Sequence, residues 1–346
     1  MLILFLKEAC GLPCKYFCKI CFFFGGGGMK IVILGAGAIG RLFGVYLGRS
    51  GHQVSLVDPD QEVVSVINNQ GLGFMEEGEL DPDAVTFVPA RAVVHAAEIR
   101  ETELTFLAVK SHDTLAAVQS ASHLFTPASP IITLQTGLGN IETMEKILDR
   151  EVIIGGFTFM AATALGPGIV RQGGRGKTYL GEVNGGMSDR VRSITEMLTS
   201  AGLTCTPVHR LMGRLWCKVI VYSAINALSA VLRVQNGELL ESVEGVTLMK
   251  RLVDEGKQVA GALAVDLVFH DLYGLLFDAC RRTSGNISSM LQDILSGQRT
   301  EIEAQCGALV QYGRQVGVPT PTQETMTQLV QLVERKSAGS RIREAG

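Results

Sequence analysis

The chain of 346 residues is 47% hydrophobic and 19% charged, which supplies a large buried core and differs from the composition of disordered proteins. Its 31 basic and 34 acidic residues leave a net charge of −3. Nucleic-acid-binding proteins usually carry a basic excess, so this balance argues against nucleic acid as a partner. The length favours one large domain or two.

The segment of residues 1–28 differs in composition from the rest of the chain. Lysines interrupt its apolar stretch and no small-residue cleavage site follows, so it fits neither a signal peptide nor a transmembrane helix. A zinc site built on its cysteines would lack the second Cys-x-x-Cys pair. Those cysteines are Cys10, Cys14, Cys18 and Cys21. We expect residues 1–28 to be a mis-called extension and the native chain to begin at Met29.

The other four cysteines are scattered and show no spacing typical of metal ligands, so we expect no metal site. Without an export signal, they predict a protein of the reducing cytoplasm that has no membrane partner. They are Cys205, Cys217, Cys280 and Cys306.

A glycine motif follows the first apolar strand at residues 30–34 and leads into a helical pattern. In G-x-G-x-x-G, the first glycine permits a tight turn, the second admits a pyrophosphate and the third lets the helix pack on the strand. The amide groups at the helix N-terminus then bind the anion. The motif therefore predicts a dinucleotide site, whose residues here are Gly35, Ala36, Gly37, Ala38, Ile39 and Gly40.

Asp58 ends the second strand, 18 residues after Gly40. An acidic residue at about this distance binds the ribose 2′-OH of NAD and repels a 2′-phosphate. On the residues alone this favours NADH over NADPH. The alternative is that Asp58 caps the helix that starts near Asp60.

Polar residues follow two more predicted strands. Lys110 comes after the strand at 104–109, and Thr136 opens a glycine loop after the strand at 131–135. Ligands of parallel sheets lie outside the carboxyl ends of the strands, so both residues are candidates for ligand contact, unless they are ordinary surface and turn residues. Short β runs over residues 152–182 predict the far edge of the same sheet.

Strand patterns largely vanish after Pro207, and helical patterns begin with a long one at residues 210–233. We therefore predict a dinucleotide-binding α/β domain over residues 29–207, an all-α domain over 208–335 and a polar tail over 336–346. A cleft between two such domains is where substrates usually bind.

The long helix places Lys218, Tyr222 and Asn226 four residues apart on one face, within an apolar stretch. A lysine in such surroundings must extend to solvent, form an ion pair or act in catalysis. Ser288 and Ser289 open a later predicted helix and are candidate caps. Glu301 is a candidate for balancing the dipole of the next helix.

Several motifs together resemble the ketopantoate (2-dehydropantoate) reductase family, in the family's order. They are GAGAIG, AVK at 108–110, LQTGLGN at 134–140, WCK with a later Asn at 216–226, NGEL at 236–239, and SSMLQDI with TEIE at 288–303. The resemblance implies a Rossmann domain followed by a helical domain. It also implies the reduction of 2-dehydropantoate to pantoate by NADPH, in pantothenate biosynthesis.

The resemblance places Lys218 on the family's catalytic lysine, which would donate the proton to the alkoxide that hydride transfer leaves. It also places Asn226, Asn236 and Ser289 on substrate-contacting positions, and Lys110 and Glu301 near the cofactor and at the domain junction. With the candidates identified from the residues themselves, we predict two sets of binding residues. For the substrate these are Lys218, Tyr222, Asn226, Asn236, Ser288 and Ser289. For the cofactor they are the glycine motif with Asp58, Lys110, Thr136 and Glu301.

Three residues depart from the family pattern. Thr136 and Tyr222 stand where the family commonly has asparagine, and Asp58 stands where NADPH-using members often have a basic residue. The first two favour an alternative, a related reductase of another 2-oxo acid, and the third leaves NADH open as the cofactor. A nucleotide-sensing protein without catalysis is a further alternative. An apolar helix face would be compatible with a homodimer.

Overall fold

The computed structural model describes residues 28–344, with side chains to residue 337, so the hypothesis about residues 1–28 lies outside the described part except for Gly28. Twelve strands lie among the described residues. They are β1 (Lys30–Leu34), β2 (Gln53–Val57), β3 (Leu72–Met75), β4 (Thr86–Val88), β5 (Arg91–Val93), β6 (Leu104–Leu107), β7 (Ile131–Thr133), β8 (Ile153–Thr158), β9 (Ala161–Gly166), β10 (Ile169–Gly174), β11 (Thr178–Glu182) and β12 (Cys205–Pro207).

Eleven α-helices accompany these strands in the described chain. They are α1 (Ala38–Arg49), α2 (Gln61–Gln70), α3 (Thr114–Ser120), α4 (Asn140–Met144), α5 (Asp189–Ser200), α6 (Leu211–Leu232), α7 (Val243–Ala262), α8 (Leu272–Arg282), α9 (Ser289–Leu295), α10 (Cys306–Val316) and α11 (Pro321–Glu344). A short 3₁₀ helix, Ile302–Ala304, precedes α10.

The main sheet has eight strands in the order β12-β11-β8-β7-β6-β1-β2-β5. All neighbours are parallel except β8 and β11. Central strands such as β1 are almost wholly apolar because buried parallel sheets are covered on both faces. The carboxyl ends of β1, β2, β6 and β7 therefore meet at one edge of the sheet. The predicted fold class, a Rossmann-type α/β part followed by an all-α part, is confirmed.

The helical half packs around α6, whose side chains form the centre of its core. By length and composition α6 is the one helix of the described residues that could cross a membrane, but 83% of its apolar window is buried inside the fold. A helix that is apolar on all sides is typical of the centre of a helical bundle. We therefore interpret α6 as a core helix.

The prediction that residues 152–182 form the far edge of the main sheet is correct for β8 and β11 but wrong for the two strands between them. β9 and β10 leave that sheet and form a second one, in the order β4-β3-β10-β9. Arg41 of α1 holds their turn by donating to the carbonyls of Gly166 and Ile169. Val170 is fully buried in the same core as α1. These contacts are between distant residues, so the β pattern alone could not assign the strands to a sheet.

Candidate active site

The glycine turn between β1 and α1 has three different requirements at its three glycines. Gly35 adopts a left-handed φ of +99°, and a Cβ there would lie 2.9 Å from the amide nitrogen of Val109. A Cβ at Gly40 would lie 2.0 Å from the carbonyl oxygen of Gly35. At Gly37 no heavy atom of the described chain lies within 4 Å of such a Cβ. The turn is thus tightly packed on the protein side and open at Gly37, as a pyrophosphate cradle requires.

We expect Gly40→Ala to lower the melting temperature, because its methyl group clashes with backbone that can move only if the turn deforms. Overpacking of this kind costs about 1–3 kcal/mol of folding free energy. Gly37→Ala is the matched control: it should melt like the wild type yet bind dinucleotide more weakly. Thermal unfolding with a cofactor titration checks both, and a wild-type melting temperature for Gly40→Ala would contradict the clash.

Asp58 follows β2 and braces the glycine turn. Its Oδ2 accepts a 2.7 Å hydrogen bond from the amide of Ala36, and its Oδ1 accepts one of 3.0 Å from the amide of Asp60. Asp60 is itself the cap of α2, so the alternative that Asp58 caps this helix is wrong. Ala38 and Ile39 form the first turn of α1, whose amide groups have no partner within the helix. The carboxylate therefore stands beside the predicted dinucleotide cradle.

Lys218 of α6 reaches across to the sheet half of the molecule. Only 6% of the residue is exposed, and its Nζ donates to Thr136 Oγ1 at 2.8 Å and to the Thr158 carbonyl at 2.6 Å. An ammonium group has three N–H donors, so these two bonds leave one for a ligand. The structure thus brings together Lys218 and Thr136, which are 82 residues apart in the chain.

Three aromatic rings surround the Lys218 ammonium. Its Nζ lies 5.4 Å from the ring centre of Phe157, 4.7 Å from that of Phe159 and 5.6 Å from that of Tyr222. Burial lowers the pKa of Lys218 to about 7, although the negative charge of Glu301 opposes this change. Near neutral pH the amine can therefore both hold and release a proton, which is the requirement for a general acid.

Two adjacent residues after β6 bind two carboxylates of the helical half. Lys110 Nζ lies 2.6 Å from Asp293 Oδ2, and Glu301 Oε1 accepts from the amide and hydroxyl of Ser111 at 2.9 and 2.8 Å. Burial acts to lower the pKa of Lys110, but Glu301 and Asp293 raise it on balance. Burial raises the pKa of Asp293 to about 6 against the effect of Lys110. Glu301 therefore links the helical half to the sheet half. This contact gives it a role beyond balancing a helix dipole.

The two predicted asparagines bind other side chains of the helical half. Asn226 Nδ2 donates to Gln305 Oε1 at 3.1 Å, and Asn236 Nδ2 donates to Thr283 Oγ1 at 2.9 Å. Both asparagines are only 6% exposed. Asn236 Oδ1 has no hydrogen-bond partner among the described residues. A buried acceptor without a partner is costly, so this oxygen suits a hydroxyl donor of a ligand.

The two predicted serines lie at the start of α9, away from Lys218. Ser288 is the buried cap of α9, and its Oγ is 2.7 Å from that of Ser229. Ser229 is 11 residues beyond Lys218 on α6, or about 16 Å along the axis. Ser289, the first residue of α9, is exposed. The structure therefore supports the cap interpretation for Ser288 and leaves Ser289 open to a ligand.

Five residues of the site were not identified from the sequence. They are Phe157, Thr158, Phe159, Ser111 and Asp293. The Phe-Thr-Phe run at the end of β8 was a signal for the first three, since aromatic residues at the carboxyl end of a strand lie at the ligand edge. Ser111 directly follows Lys110 in the sequence, and Asp293 is the last residue of the SSMLQD motif.

Cys205, Cys217, Cys280 and Cys306 are all buried, and none forms a disulfide within the described part of the chain. Among the side chains described, those of residues 28–337, no three His, Cys, Asp or Glu are grouped as metal ligands.

The glycine cradle, the parallel sheet and the helical half with its buried lysine define the class of Rossmann-fold oxidoreductases that use a nicotinamide dinucleotide. More narrowly, residues 31–185 match the family described as ketopantoate reductase PanE/ApbA, and residues 210–334 match its C-terminal domain. The chain belongs to this family, and the resemblance seen in the sequence is confirmed.

Known proteins resemble the chain over nearly its whole length. The 2-dehydropantoate 2-reductase of Halobacterium salinarum is 31% identical over 89% of this chain and 99% of the relative. That of Pyrococcus horikoshii is 32% identical over 90% and 100%. Among solved structures, D-mandelate dehydrogenase with NADH and anilino(oxo)acetate has a TM-score of 0.83 at 27% identity, covering 89% and 99% of the two chains. A ketopantoate reductase of Ralstonia eutropha has a TM-score of 0.80 at 28% identity, with the same coverage.

Proposed function

We propose that the protein reduces 2-dehydropantoate to pantoate, as a step towards pantothenate, with Lys218 as the proton donor. The main observation that supports this proposal is the buried ammonium group of Lys218 between Thr136 and the aromatic rings. The names of the curated relatives support the choice of substrate.

The residues of the cradle fit a nicotinamide dinucleotide, because Gly37 leaves open space before the first turn of α1. The bound cofactor would supply the hydride. We assign to its binding Gly35, Ala36, Gly37, Ala38, Ile39, Gly40, Asp58, Lys110, Thr136 and Glu301. The family favours NADPH, whereas an acidic residue at position 58 is compatible with NADH because it can bind the ribose 2′-OH.

Lys218 performs the proton step in this proposal. Its third N–H donates to the carbonyl oxygen of the 2-oxo acid and polarises it, and the same proton passes to that oxygen as the alcohol forms. Because the pKa of Lys218 is lowered to about 7, the proton is transferred more readily than from an ordinary lysine. Thr136 and the Thr158 carbonyl hold the nitrogen in place during the transfer.

The remaining substrate residues extend along the helical half. We assign Asn226, Asn236 and Ser289 to substrate binding in addition to Lys218 and Tyr222, and Ser288 to holding the start of α9. The unpartnered Asn236 Oδ1 suits the hydroxyl group of 2-dehydropantoate. We also propose a boundary near Pro207 between the two domains, a cytoplasmic location and a homodimer.

The test is to follow oxidation of NADPH and NADH separately with 2-dehydropantoate, using protein that starts at Met29. We expect rapid oxidation of at least one cofactor. The outcome that would contradict the proposal is no turnover with either cofactor in folded protein that binds a dinucleotide.

A second candidate substrate is a 2-oxo acid with an aromatic substituent. Phe159 and Tyr222 are only partly buried beside Lys218, and their ring centres lie 5.8 Å apart. Such rings favour aromatic partners. The similar D-mandelate dehydrogenase structure agrees with this choice. Phenylglyoxylate in the same assay decides between the candidates, since a higher kcat/KM than that of 2-dehydropantoate would favour the second.

A further inference from the structure

Gln305 is a buried polar residue directly before α10, and only 2% of it is exposed. The residue before it, Ala304, packs tightly on the loop after β7, because a Cβ at Gly137 would lie 2.7 Å from the Cβ of Ala304. Gly137 directly follows Thr136, whose hydroxyl group binds the ammonium group of Lys218. The backbone of Gln305 is therefore fixed beside the loop that holds Lys218.

The side chain of Gln305 forms an amide pair with Asn226 of α6, whose Nδ2 donates to Gln305 Oε1 at 3.1 Å. Asn226 lies on the same face of α6 as Lys218, eight residues or about 12 Å further along the axis. A four-carbon 2-oxo acid with a hydrogen bond of about 3 Å at each end spans about 10 Å. A substrate whose carbonyl oxygen is bound by Lys218 can therefore extend towards the amide pair.

The bond between the two amides leaves one carbonyl oxygen, Asn226 Oδ1, and one NH₂ group, Gln305 Nε2, for a ligand. Neither atom has a hydrogen-bond partner among the described residues, and neither belongs to the fully buried polar atoms without one, so both border accessible space. Reversal of both amides would leave the same combination of one oxygen and one NH₂ group. This combination suits a hydroxyl group, which donates one hydrogen bond and accepts others.

We propose that Gln305 is a specificity-determining residue, which binds the hydroxyl group of a 4-hydroxy-2-oxo acid through the amide pair with Asn226. The inference rests on the proposed reduction of 2-dehydropantoate, whose hydroxyl group lies two carbons beyond the reacting carbonyl carbon. The NH₂ group of the pair donates to the hydroxyl oxygen. The hydroxyl proton remains available for an asparagine oxygen, which agrees with the role assigned to Asn236. A substrate without the hydroxyl group leaves these amide groups unpaired and is therefore disfavoured.

The test compares two 2-oxo acids that differ only in this hydroxyl group, 2-dehydropantoate and 3,3-dimethyl-2-oxobutanoate. In the wild type, kcat/KM should be higher for 2-dehydropantoate by about 100-fold or more, because a site that binds a hydroxyl group rejects analogues without it. In Gln305→Met we expect this ratio to fall by about tenfold or more, through loss of kcat/KM for 2-dehydropantoate. Gln305→Leu provides the same test should the methionine variant fail to fold.

Gln323→Met is the matched control, because it makes the same change at another buried glutamine. Gln323 lies in α11, where its Nε2 donates to the Leu252 carbonyl of α7 at 2.9 Å. This variant should leave the ratio of the two kcat/KM values unchanged, whatever its effect on the melting temperature. The ratio thus separates binding of the hydroxyl group from general loss of stability.

Two results would overturn the inference. The first is a wild type that does not prefer 2-dehydropantoate to the analogue. The second is an unchanged ratio in Gln305→Met, whether both kcat/KM values stay the same or fall together, which would make Gln305 purely structural.

A binding measurement separates these results from failure of the proposed reaction. Calorimetry with the oxidised cofactor compares the affinities for pantoate and 2-hydroxy-3,3-dimethylbutanoate, which again differ only in the hydroxyl group. We expect the same preference in the wild type and the same loss in Gln305→Met. Because this comparison needs no turnover, it decides the role of Gln305 even if neither NADPH nor NADH is oxidised with 2-dehydropantoate.

Discussion

Replacing Lys218 by methionine should lower kcat for ketoacid reduction by about 10³-fold, because general acids typically contribute 10²–10⁴-fold. Methionine fills similar volume but has no proton to donate, and the backbone path of α6 is unchanged. Dinucleotide affinity should stay close to that of the wild type. Lys146→Met, at an exposed position, is the control. Steady-state kinetics with a fluorescence titration of the cofactor separates the two effects.

The pH dependence of the same variants tests the assignment of the proton. Reduction requires the protonated amine, so wild-type turnover should be full below about pH 7 and fall as pH rises through the lowered pKa of Lys218. The residual activity of Lys218→Met should lack this fall. A wild-type profile that stays flat from pH 6 to 9 would show that another group supplies the proton.

As the pH rises above about 7, the stability of the wild type should increase while its turnover decreases. The folded state binds fewer protons than the unfolded state between about pH 7 and the ordinary lysine pKa of 10.5, so wild-type stability rises with pH across that window. Lys218→Met removes the burial of a charge and should melt at a higher temperature at neutral pH. Thermal unfolding over this pH range measures how steeply stability rises with pH. This rise should be smaller in Lys218→Met than in the wild type.

Local patterns were sufficient to predict the elements that carry the site. The strand, the glycine turn and the helix are adjacent in sequence, so one motif predicts the cradle from Gly35 to Gly40. The four-residue spacing from Lys218 to Tyr222 likewise predicts one face of α6, because neighbours on a helix are three and four residues apart.

Long-range packing decided what the patterns could not. The bond between Lys218 and Thr136 exists only because the helical half docks on the sheet half. Phe159 reaches the ammonium from a strand end whose position depends on the order of the main sheet. Asp293 meets Lys110 over 183 positions of sequence, and no local spacing encodes such a pair. Sequence patterns therefore supplied candidates, whereas the docked halves determine which candidates lie together.

Asp58→Asn should raise kcat/KM with NADPH relative to NADH by about 10- to 100-fold, or about 1.4–2.7 kcal/mol, because the variant no longer places a like charge beside the 2′-phosphate. Asp58 accepts hydrogen bonds from Ala36 and Asp60, so its carboxylate is fixed beside the cradle. Asparagine keeps one acceptor for these amides and removes the charge. The measurement is the ratio of the two kcat/KM values at one ionic strength, since salt screens the repulsion.

Asp60→Asn is the matched control, because it removes the same charge from the same loop two residues away. Asp60 caps α2, and asparagine caps helices about as well as aspartate, so this variant should fold normally. If both variants change the ratio of the two kcat/KM values equally, the summed negative charge of the loop sets the cofactor preference. If Asp58→Asn leaves the ratio unchanged but weakens binding of both cofactors, Asp58 acts by bracing the glycine turn. Only a change confined to Asp58→Asn places its carboxylate next to the 2′ position of the ribose.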